Sequence, residues 1–271
     1  MTERFLMCKP KWFSVNYVIN PWMDGNISSV VSADAMSQWT TLQKAIAKLA
    51  EVVGINQAKS LPDMVFTANA ALVRDGKAIL SRFKHPERQG EEKLFSDLLL
   101  NQGFQVLWLP NGVPFEGAGD ALFCTRHPSL LWMGYGHRTD AMASFYIGDY
   151  LKCAVVPLKL IDDRFYHLDT CFCPLKNGEL LYYPPAFDEE SLQKIRAMIP
   201  MDQRIIVSEE DALNFACNAV NIDTNIFLNK ASDELVENLT SRGYVVKQLP
   251  LTEFIKAGGS AKCLTLRLTE N

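Results

Sequence analysis

The stretch MVFTANAALVRDGKAILSRF (Met64–Phe83) contains the pattern that decides the fold. Two apolar runs flank the tetrapeptide RDGK at 74–77, and Asp-Gly between two such runs is a strong signal for a β-hairpin. The following segment, ERQGEEKLFSDLLLNQG, spaces its apolar residues as one face of a helix that ends near Gly103. FQVLWLP then has the composition of a buried strand. This stretch therefore predicts the local order strand, strand, helix, strand.

The same order recurs along the chain. Hairpin patterns return as DALFCTRHPSLLWMGYG (120–136), CFCPLKNGELLYYP (171–184) and CNAVNIDTNIFLNK (217–230), and each precedes a helical segment and a further strand. The N-terminal segment is a looser copy, with FSVNYVIN (13–20) in place of a strand and MSQWTTLQKAIAKLAEVVG as its helix. Because the units begin about 50 residues apart, the chain is predicted to be a repeat protein.

The last apolar segment, CLTLRL (Cys263–Leu268), is predicted to be a lone strand that begins at Cys263. It could pair with the first unit and close a ring. The predicted fold class is α/β: a five-bladed propeller of ββαβ units around a pseudo-fivefold axis, forming one domain over residues 1–271. An ordinary α/β protein with mixed sheets is the alternative that periodicity leaves open.

The composition excludes several classes of partner. Hydrophobic residues make up 48% of the chain, enough for a substantial core. Lys and Arg total 27 against 31 Asp and Glu, a formal net charge of -4, which argues against a nucleic-acid or anionic-membrane binder and suits a small cationic substrate. We see no signal peptide and no run near the roughly 20 apolar residues of a membrane span. Seven scattered cysteines indicate a reduced protein, and we expect it to be cytoplasmic.

Polar segments precede the predicted hairpins and the final strand. They are LPDMVFTAN, PFEGAGDALF, FYHLDTCF, NFACNAVN and AGGSAKCLTL. In a ring of repeats these segments occupy equivalent places and converge near the axis, so functional residues should lie there. A solvent-exposed polar fringe would explain any one of them alone.

Cys263 and His167 are the candidates for covalent chemistry. Cys263 follows the glycine-rich segment 258–261, where small residues let backbone amides approach a small group, and a thiol nucleophile needs a base and an acid from elsewhere. His167 lies between apolar neighbours in FYHLD, and Asp169 could orient its ring or the substrate. A buried core cysteine and a structural histidine are the alternatives.

Glu116 and Asp120 are the candidates for binding a cation, because they frame the sequence EGAGD. Paired carboxylates beside small residues suit a planar guanidinium, which binds a carboxylate through two parallel hydrogen bonds. A glycine-rich turn with solvated acids is the alternative. Arg88 and Arg138 are placed in loops, where either could bind a substrate carboxylate or be a surface charge.

Together these motifs resemble the guanidino-group-modifying members of the pentein superfamily, which include arginine deiminase, dimethylargininase, the amidinotransferases and the arginine dihydrolases. The framed glycines, His-Leu-Asp and the glycine-rich cysteine occur in the family's order over nearly the whole chain. PDMVFTANA, HPERQGEE, EGAGDALF, HLDTCFCPL and GGSAKCLTLRL are most similar to the arginine dihydrolases. The resemblance implies a five-bladed pentein propeller.

The resemblance also implies a role for each matching residue. Cys263 would be the nucleophile, His167 the general acid/base, and Glu116 the residue that holds the guanidinium. The residues expected to bind or support the substrate are Asp120, Asp169, Arg88, Arg138, Asp63, Phe66, Asn69 and Asn20. A covalent thiouronium intermediate is implied, with no metal and no cofactor.

Asn69 departs from the deiminases and dimethylargininases, which carry an acid there. A neutral amide both donates and accepts hydrogen bonds, so it can hold a charged guanidinium and also the neutral ureido group left by one hydrolysis. We therefore expect arginine to be hydrolysed twice, to ornithine, ammonia and carbon dioxide. A deiminase that stops at citrulline and a dimethylargininase are the alternatives.

Two readings from other classes remain. Some proteins of the pentein superfamily, which this sequence resembles, are non-catalytic binding factors. The joint presence of Cys263, His167 and Glu116 argues against that interpretation here. His167, Cys171 and Cys173 could hold zinc, but C-x-C beside one histidine lacks the paired spacing of zinc sites, so we expect the two cysteines to be packing residues. Association into a homo-oligomer is left open.

Overall fold

A computed structural model describes residues 2–269 of the chain. Its strands form five separate three-stranded sheets, which confirms the predicted five-unit α/β propeller. The strands are β1 (Arg4–Cys8), β2 (Glu51–Ile55), β3 (Ala71–Arg74), β4 (Lys77–Leu80), β5 (Gln105–Trp108), β6 (Ala121–Phe123), β7 (Leu130–Tyr135), β8 (Ala154–Lys159), β9 (Phe172–Pro174), β10 (Leu180–Tyr182), β11 (Arg204–Ile206), β12 (Val220–Ile222), β13 (Asn225–Leu228), β14 (Val245–Gln248) and β15 (Leu266–Arg267).

Each sheet has the same strand order. The first strand of a unit pairs antiparallel with the second, and the second pairs parallel with the third, in the orders β3-β4-β5, β6-β7-β8, β9-β10-β11 and β12-β13-β14. First and second strands are mostly buried, whereas third strands such as β5 and β14 are half exposed. We call β3, β6, β9, β12 and β15 the inner strands.

The ring closes through the C-terminal strand, as predicted. β15 pairs antiparallel with β1, with Phe5 opposite Arg267 and Leu6 opposite Leu266. The predicted start of this strand at Cys263 is wrong, because Cys263 lies in the turn 261–264 that precedes it. The turn forms since the side chain of Asn218 accepts hydrogen bonds from the backbone N–H groups of both Ser260 and Cys263.

Helices join the second and third strands of each unit and cover the outside of the ring. Two of these helices have side-chain N-caps. The side chain of Asp188 accepts a hydrogen bond from Ser191 N, and that of Ser232 accepts one from Leu235 N. The α-helices are α1 (Ser32–Ile46), α2 (Pro86–Gln89), α3 (Glu91–Asn101), α4 (Gly117–Asp120), α5 (Ala143–Leu151), α6 (Glu189–Met198), α7 (Glu209–Leu213), α8 (Asp233–Ser241) and α9 (Thr252–Ile255).

The first unit differs from the prediction. Residues 13–20 do not form a strand, and the strand before α1 is instead β1. Both edges of β1 are taken, by β15 and by β2, so the apolar residues of 13–20 have no sheet to join. Phe13 and Val15 pack into a core cluster instead, and the segment crosses the end of the ring.

Short helical turns lead into three inner strands. Pro62–Val65 and Thr67–Ala70 precede β3, α4 precedes β6, and Leu168–Thr170 precedes β9. These turns are buried, unlike most surface connections. Within residues 2–269, no helix has both the length and the apolar character needed to cross a bilayer.

Candidate active site

The candidate residues gather at one end of the inner strands. Asn69, Asp120, Asp169, Asn218 and Cys263 each lie within three residues of the start of β3, β6, β9, β12 and β15, respectively. All five are buried. The prediction that polar residues before the hairpins share one place is therefore confirmed, and the alternative of a solvent-exposed fringe is wrong.

Glu116 is the charged centre of this end. Its Oε2 accepts hydrogen bonds from His167 Nε2 at 2.7 Å and from Arg138 Nη1 at 3.1 Å, and its Oε1 accepts from Lys84 N at 3.3 Å. Burial opposes ionisation of Glu116, but the charge of Arg138 and the hydrogen bond to His167 outweigh burial and hold its pKa below the usual range. Glu116 is thus a carboxylate.

This ionisation fixes the tautomer of His167. A carboxylate can only accept, so His167 Nε2 carries the hydrogen that is donated to Glu116. The other ring nitrogen, Nδ1, is buried and has no hydrogen-bond partner among the described residues. It is the free proton-transfer atom of the ring. The expectation that Asp169 orients this ring is wrong, because Glu116 does so.

Asp120 supports the site without facing a cation. Its Oδ2 accepts from Thr139 Oγ1 at 2.7 Å, its Oδ1 accepts from Leu168 N at 3.0 Å, and Thr139 Oγ1 in turn accepts from Glu116 N. Burial raises the pKa of Asp120 to about 6. Asp120 therefore ties the backbone of Glu116 to the residue after His167, and the two acids are not solvated.

The two glycines of EGAGD make close packing possible. Gly117 has φ +59, and a Cβ there would lie 2.9 Å from the backbone of Ala68 and Ala71. A Cβ on Gly119 would lie 2.1 Å from Asn69 Nδ2. From the sequence, these glycines were expected to leave space beside the acids. In the structure, their missing side chains instead allow α4 to pack directly against the segment that carries Asn69.

Cys263 is enclosed by two polar side chains. Its Sγ lies 3.1 Å from Asn218 Nδ2 and 3.6 Å from Asp169 Oδ2. Burial, and then the charge of Asp169, raise the pKa of the Cys263 thiol, and burial raises the pKa of Asp169 to about 7. In this arrangement the thiol donates to Asp169, and Asn218 supplies an N–H that can stabilise a thiolate.

Asn218 was missed as a site residue in the sequence. It contacts Cys263 through both ends of its amide, and its Nδ2 also donates to the carbonyl of Asp169 at 3.0 Å. The signal that could have found it is its place, two residues before an inner strand, in the segment NFACNAVN. The backbone amides of 258–260 are already used: Gly258 N donates to Ile255 O, Gly259 N to Phe254 O and Ser260 N to the Asn218 side chain. Gly259 is required because a Cβ there would meet the Phe66 ring at 2.4 Å.

Asn69 belongs to a second polar group. Its Oδ1 accepts from Arg88 Nη1 at 2.9 Å, and its Nδ2 donates weakly to the carbonyl of Glu116 at 3.4 Å. Arg88 is held by Glu91 through two hydrogen bonds of 2.9 and 2.8 Å and also donates to the carbonyl of Asp63. Arg88 lies in α2 and is buried, so its predicted loop position is wrong, and neither it nor Arg138 is a surface charge.

Asp63, Phe66 and Asn20 lie around the same end. Asp63 Oδ2 accepts from Tyr17 OH, while its Oδ1 is buried without a partner among the described residues, and burial raises the pKa of this acid. Phe66 packs edge-on against Phe13. Asn20 donates to the carbonyl of Ala257, and its Oδ1 caps the helical turn Pro21–Met23.

The two cysteines of HLDTCFC pack in the core. Cys171 Sγ lies 3.6 Å from the carbonyl of Leu168, and Cys173 Sγ lies 3.6 Å from that of Ala219. Both belong to the same apolar cluster. Within the described part of the chain, no three His, Cys, Asp or Glu side chains converge as metal ligands would.

Comparison with known proteins places this geometry in context. The profile of the family described as "N,N dimethylarginine dimethylhydrolase, eukaryotic" matches residues 13–270. The chain is 55% identical over 267 residues to the bifunctional arginine dihydrolase/ornithine cyclodeaminase ArgZ of Synechocystis sp., covering 98% of this chain and 38% of ArgZ. It is 36% identical over 268 residues to the N(G),N(G)-dimethylarginine dimethylaminohydrolase of Mycobacterium tuberculosis, covering 98% of this chain and 86% of that protein.

Crystal structures of the N-terminal domain of ArgZ match over nearly the whole ring. An asparagine-to-serine variant that is covalently bound to a reaction intermediate has a TM-score of 0.97 and 54% identity, with 98% of both chains covered. A cysteine-to-serine variant of that domain, bound to substrate, gives the same TM-score, identity and coverage. The chain spans only 38% of the length of ArgZ.

Proposed function

This chain belongs to the N,N-dimethylarginine dimethylhydrolase family of the guanidino-modifying penteins, and from that premise we propose that it is an arginine dihydrolase. It would hydrolyse the guanidino group of L-arginine twice and release ornithine, ammonia and carbon dioxide. The observation that carries the proposal is the meeting of the Cys263 thiol, the His167–Glu116 pair and the neutral amide of Asn69 at one end of the ring. The identity to ArgZ, named a dihydrolase, supports it.

The charges at this end favour a cationic substrate. The buried acids are Asp63, Glu91, Glu116, Asp120 and Asp169, whereas the buried bases are Arg88 and Arg138. Glu116 Oε1 makes only one long hydrogen bond, so it can accept from a guanidinium N–H. The unpartnered Oδ1 of Asp63 suits a second cationic group, such as an α-amino group. Arg138 and Arg88 would clamp the substrate carboxylate with the N–H groups that Glu116 and Glu91 leave unused.

In the first step the substrate itself activates the nucleophile. The thiol of Cys263 is protonated in the free site, since burial raises its pKa, but a bound guanidinium offsets that cost and favours the thiolate. Asp169 can take the thiol proton, because its own pKa is raised to about 7. The thiolate attacks the guanidinium carbon and forms the C–S bond. For the C–N bond to break, His167 acts as the imidazolium, with its Nε2 hydrogen on Glu116 and a second hydrogen on Nδ1, and the Nδ1 proton passes to the departing ammonia.

Water then completes each round. His167 Nδ1 takes a proton from water, and the resulting hydroxide attacks the thiouronium carbon. The C–S bond then breaks, citrulline is released, and Asp169 returns its proton to the sulfur, which restores the thiol. Citrulline remains held because the unused N–H of Asn69 can donate to the new ureido oxygen. A second attack and hydrolysis would then release the second ammonia and carbon dioxide and leave ornithine.

A dimethylarginine dimethylaminohydrolase is the second candidate. The family profile and the Mycobacterium tuberculosis relative both carry that activity in their names. Both candidates need the same thiol and the same His–Glu pair, so those residues do not separate them. Asn69 favours the dihydrolase, because a neutral amide suits the ureido group better than the carboxylate expected of a dimethylargininase.

A substrate panel tests the proposal. The purified protein is incubated with arginine, citrulline, dimethylarginine or agmatine, and citrulline, ornithine and ammonia are measured. We expect arginine and citrulline both to give ornithine, with no product from the Cys263→Ser variant. Rapid turnover of dimethylarginine without turnover of arginine would replace the dihydrolase by the second candidate.

A further inference from the structure

A cavity of about 400 Å³ runs along the inner strands, and its lining reaches from Cys217 and Lys262, near the end where these strands begin, to the opposite end. Its lining includes Arg74, Phe123, Pro174 and Arg267, which are the last residues of β3, β6, β9 and β15. Asn221 of β12 also contributes. All five inner strands therefore reach this cavity, which places it on the axis of the ring. Its volume is within the range of roughly 300–1,000 Å³ that is common for small-molecule sites.

The charged lining of this axial cavity is mostly basic. Arg74, Lys176, Lys262 and Arg267 lie in its wall, and Glu3, which pairs with Arg267 at 3.3 Å, is the single acid among its lining residues in the described chain. Arg74 pairs with Asp75, outside the lining, at 3.4 Å, so the two lysines carry most of the positive charge. Lys176 and Lys262 have no carboxylate within ion-pair distance among residues 2–269. The potential in the cavity is therefore positive and favours an anion.

The neutral lining does not oppose an anion. Thr125, Cys173 and Cys217 contribute a hydroxyl and two thiols. Burial raises the pKa of Cys173 to about 12, so its sulfur stays a neutral thiol rather than a negative thiolate. Phe172 and Val220 supply apolar walls that exclude water and strengthen any charge–charge contact.

Lys262 connects this cavity to the catalytic end. It lies in the cavity wall and precedes Cys263 in the chain, and its Nζ donates to the carbonyl of Ala118 in α4 at 3.4 Å. Burial raises the pKa values of Asp169 and Cys263, and the positive charge of Lys262 offsets part of both increases. An anion bound to Lys262 would cancel that help and disfavour the thiolate.

We infer that the axial cavity binds a small anion that carries a phosphate group, and that its occupancy slows reaction at Cys263 through Lys262. A phosphate group is the preferred chemistry because its several oxygens can meet both the remaining Nη2 group of Arg74, whose Nε pairs with Asp75 and whose Nη1 donates to the Pro128 carbonyl, and the point charges of two lysines. The binding site is independent of the proposed function, whereas the slowing of reaction rests on it.

Calorimetric titration of the full chain with inorganic phosphate, at constant ionic strength, tests the binding. We expect one saturable site, and we expect the double variant Arg74→Gln/Lys176→Gln to bind about tenfold or more weakly, because two charged contacts are lost. Lys93→Gln is the control, since Lys93 is an exposed lysine of α3 outside the cavity. No saturable binding, or equal binding by the double variant, would overturn the site.

Two further measurements separate the possible failures. Saturating arginine should not displace phosphate, and competitive displacement would place the phosphate at Arg88 and Arg138 instead and overturn the axial site. Phosphate should slow arginine consumption by the wild-type protein but not by the double variant, each compared with its own rate without phosphate. Binding without slowing would overturn the coupling through Lys262 alone. If the wild-type protein consumes no arginine at all, the proposed function fails while the titration still decides the binding.

Discussion

The two ends of the five inner strands have the same backbone plan and opposite chemistry. At the end where these strands begin, buried acids outnumber buried bases, and nearly every polar group is held by a neighbour, as Glu116 is by His167 and Arg138. A cavity of about 400 Å³ reaches the end where they finish; four basic side chains and one acid line it, with Lys262 on the side of the first end.

This difference separates what the repeat determines from what the side chains determine. The repeat places the start of every inner strand around one axis, so residues distant in sequence, such as Asn69 and Cys263, become neighbours of one site. It does not decide their chemistry, because the other ends of the same strands meet just as regularly. Changes at the first end should therefore affect catalysis, and matched changes at the second end should not.

The largest effect is expected for the thiol at the catalytic end. Cys263→Ser should lower arginine turnover by about 10⁴-fold or more, since a serine hydroxyl beside Asp169 is a far weaker nucleophile. Cys173→Ser, in the middle of β9 and in the wall of the axial cavity, is the control and should keep most of the activity, because a hydroxyl can also donate to the carbonyl of Ala219. Steady-state ammonia release measures the activity of both variants. Equal losses of activity would show that the two ends of the inner strands do not differ in their role in catalysis.

Glu116→Gln should have the next largest effect. The amide keeps the shape but removes the charge that orients His167 and balances Arg138, so kcat should fall by about 10²–10³-fold. Glu179→Gln is the control; this other buried carboxylate lies in the turn between β9 and β10 and accepts a hydrogen bond from Tyr244 OH at 2.6 Å. Rates at saturating arginine check this, and an unchanged kcat for Glu116→Gln would remove it from the catalytic group.

Asn69→Asp should change the product more than the rate. A carboxylate next to Arg88 can still accept from a guanidinium, but it has no N–H to donate to a ureido oxygen. The variant should therefore release citrulline and form little ornithine. Chromatography of the amino-acid products decides this, and ornithine as the main product would show that the Asn69 amide is not what retains citrulline.

Asp169→Asn should have the smallest of these effects. It should leave the fold unchanged but shift the pH at which Cys263 becomes reactive. Removing the negative charge beside Cys263 should lower the pKa of the thiol, so alkylation of Cys263 should begin at lower pH. If the pH dependence of Cys263 alkylation is the same in the variant and the wild type, Asp169 does not control the ionisation of the thiol.

The same variant has a predicted effect on stability. The pKa of Asp169 is 3.8 in an unfolded chain and about 7 in the folded protein. Between about pH 4 and about pH 7 the unfolded chain has therefore released a proton that the native state retains. The native state consequently loses stability as pH rises through this window, and the asparagine variant does not. Thermal unfolding should show the variant gaining a few degrees over wild type at pH 8 but not at pH 4.

Much of the fold could be predicted from the sequence because its signals are local. Asp75 and Gly76 have the positive φ values, 48 and 73, that their turn requires, and the hairpin of β3 and β4 forms as predicted. The first unit could not be placed correctly, because FSVNYVIN has a strand-like pattern but no free sheet edge, and only the closed ring shows that β15 and β2 occupy both edges of β1.

That the candidate residues gather at one end was predictable, but their contacts were not. The places of His167, Glu116 and Cys263 follow from the repeat and the resemblance, whereas the partner of each side chain depends on how turns from different units pack. Asp169 therefore faces Cys263 rather than His167, and Asn218, with an ordinary neighbourhood in the sequence, contacts both the thiol and the backbone N–H of Cys263.

The most direct test of double hydrolysis at the catalytic end is the ratio of ammonia released to arginine consumed by the wild-type protein. A dihydrolase releases two ammonia molecules per arginine, with one ornithine and no accumulated citrulline, because Asn69 keeps citrulline in the site for the second attack by Cys263. We predict that ratio of two at all extents of reaction. A ratio of one, with citrulline accumulating, would contradict the proposal and assign the protein as a deiminase.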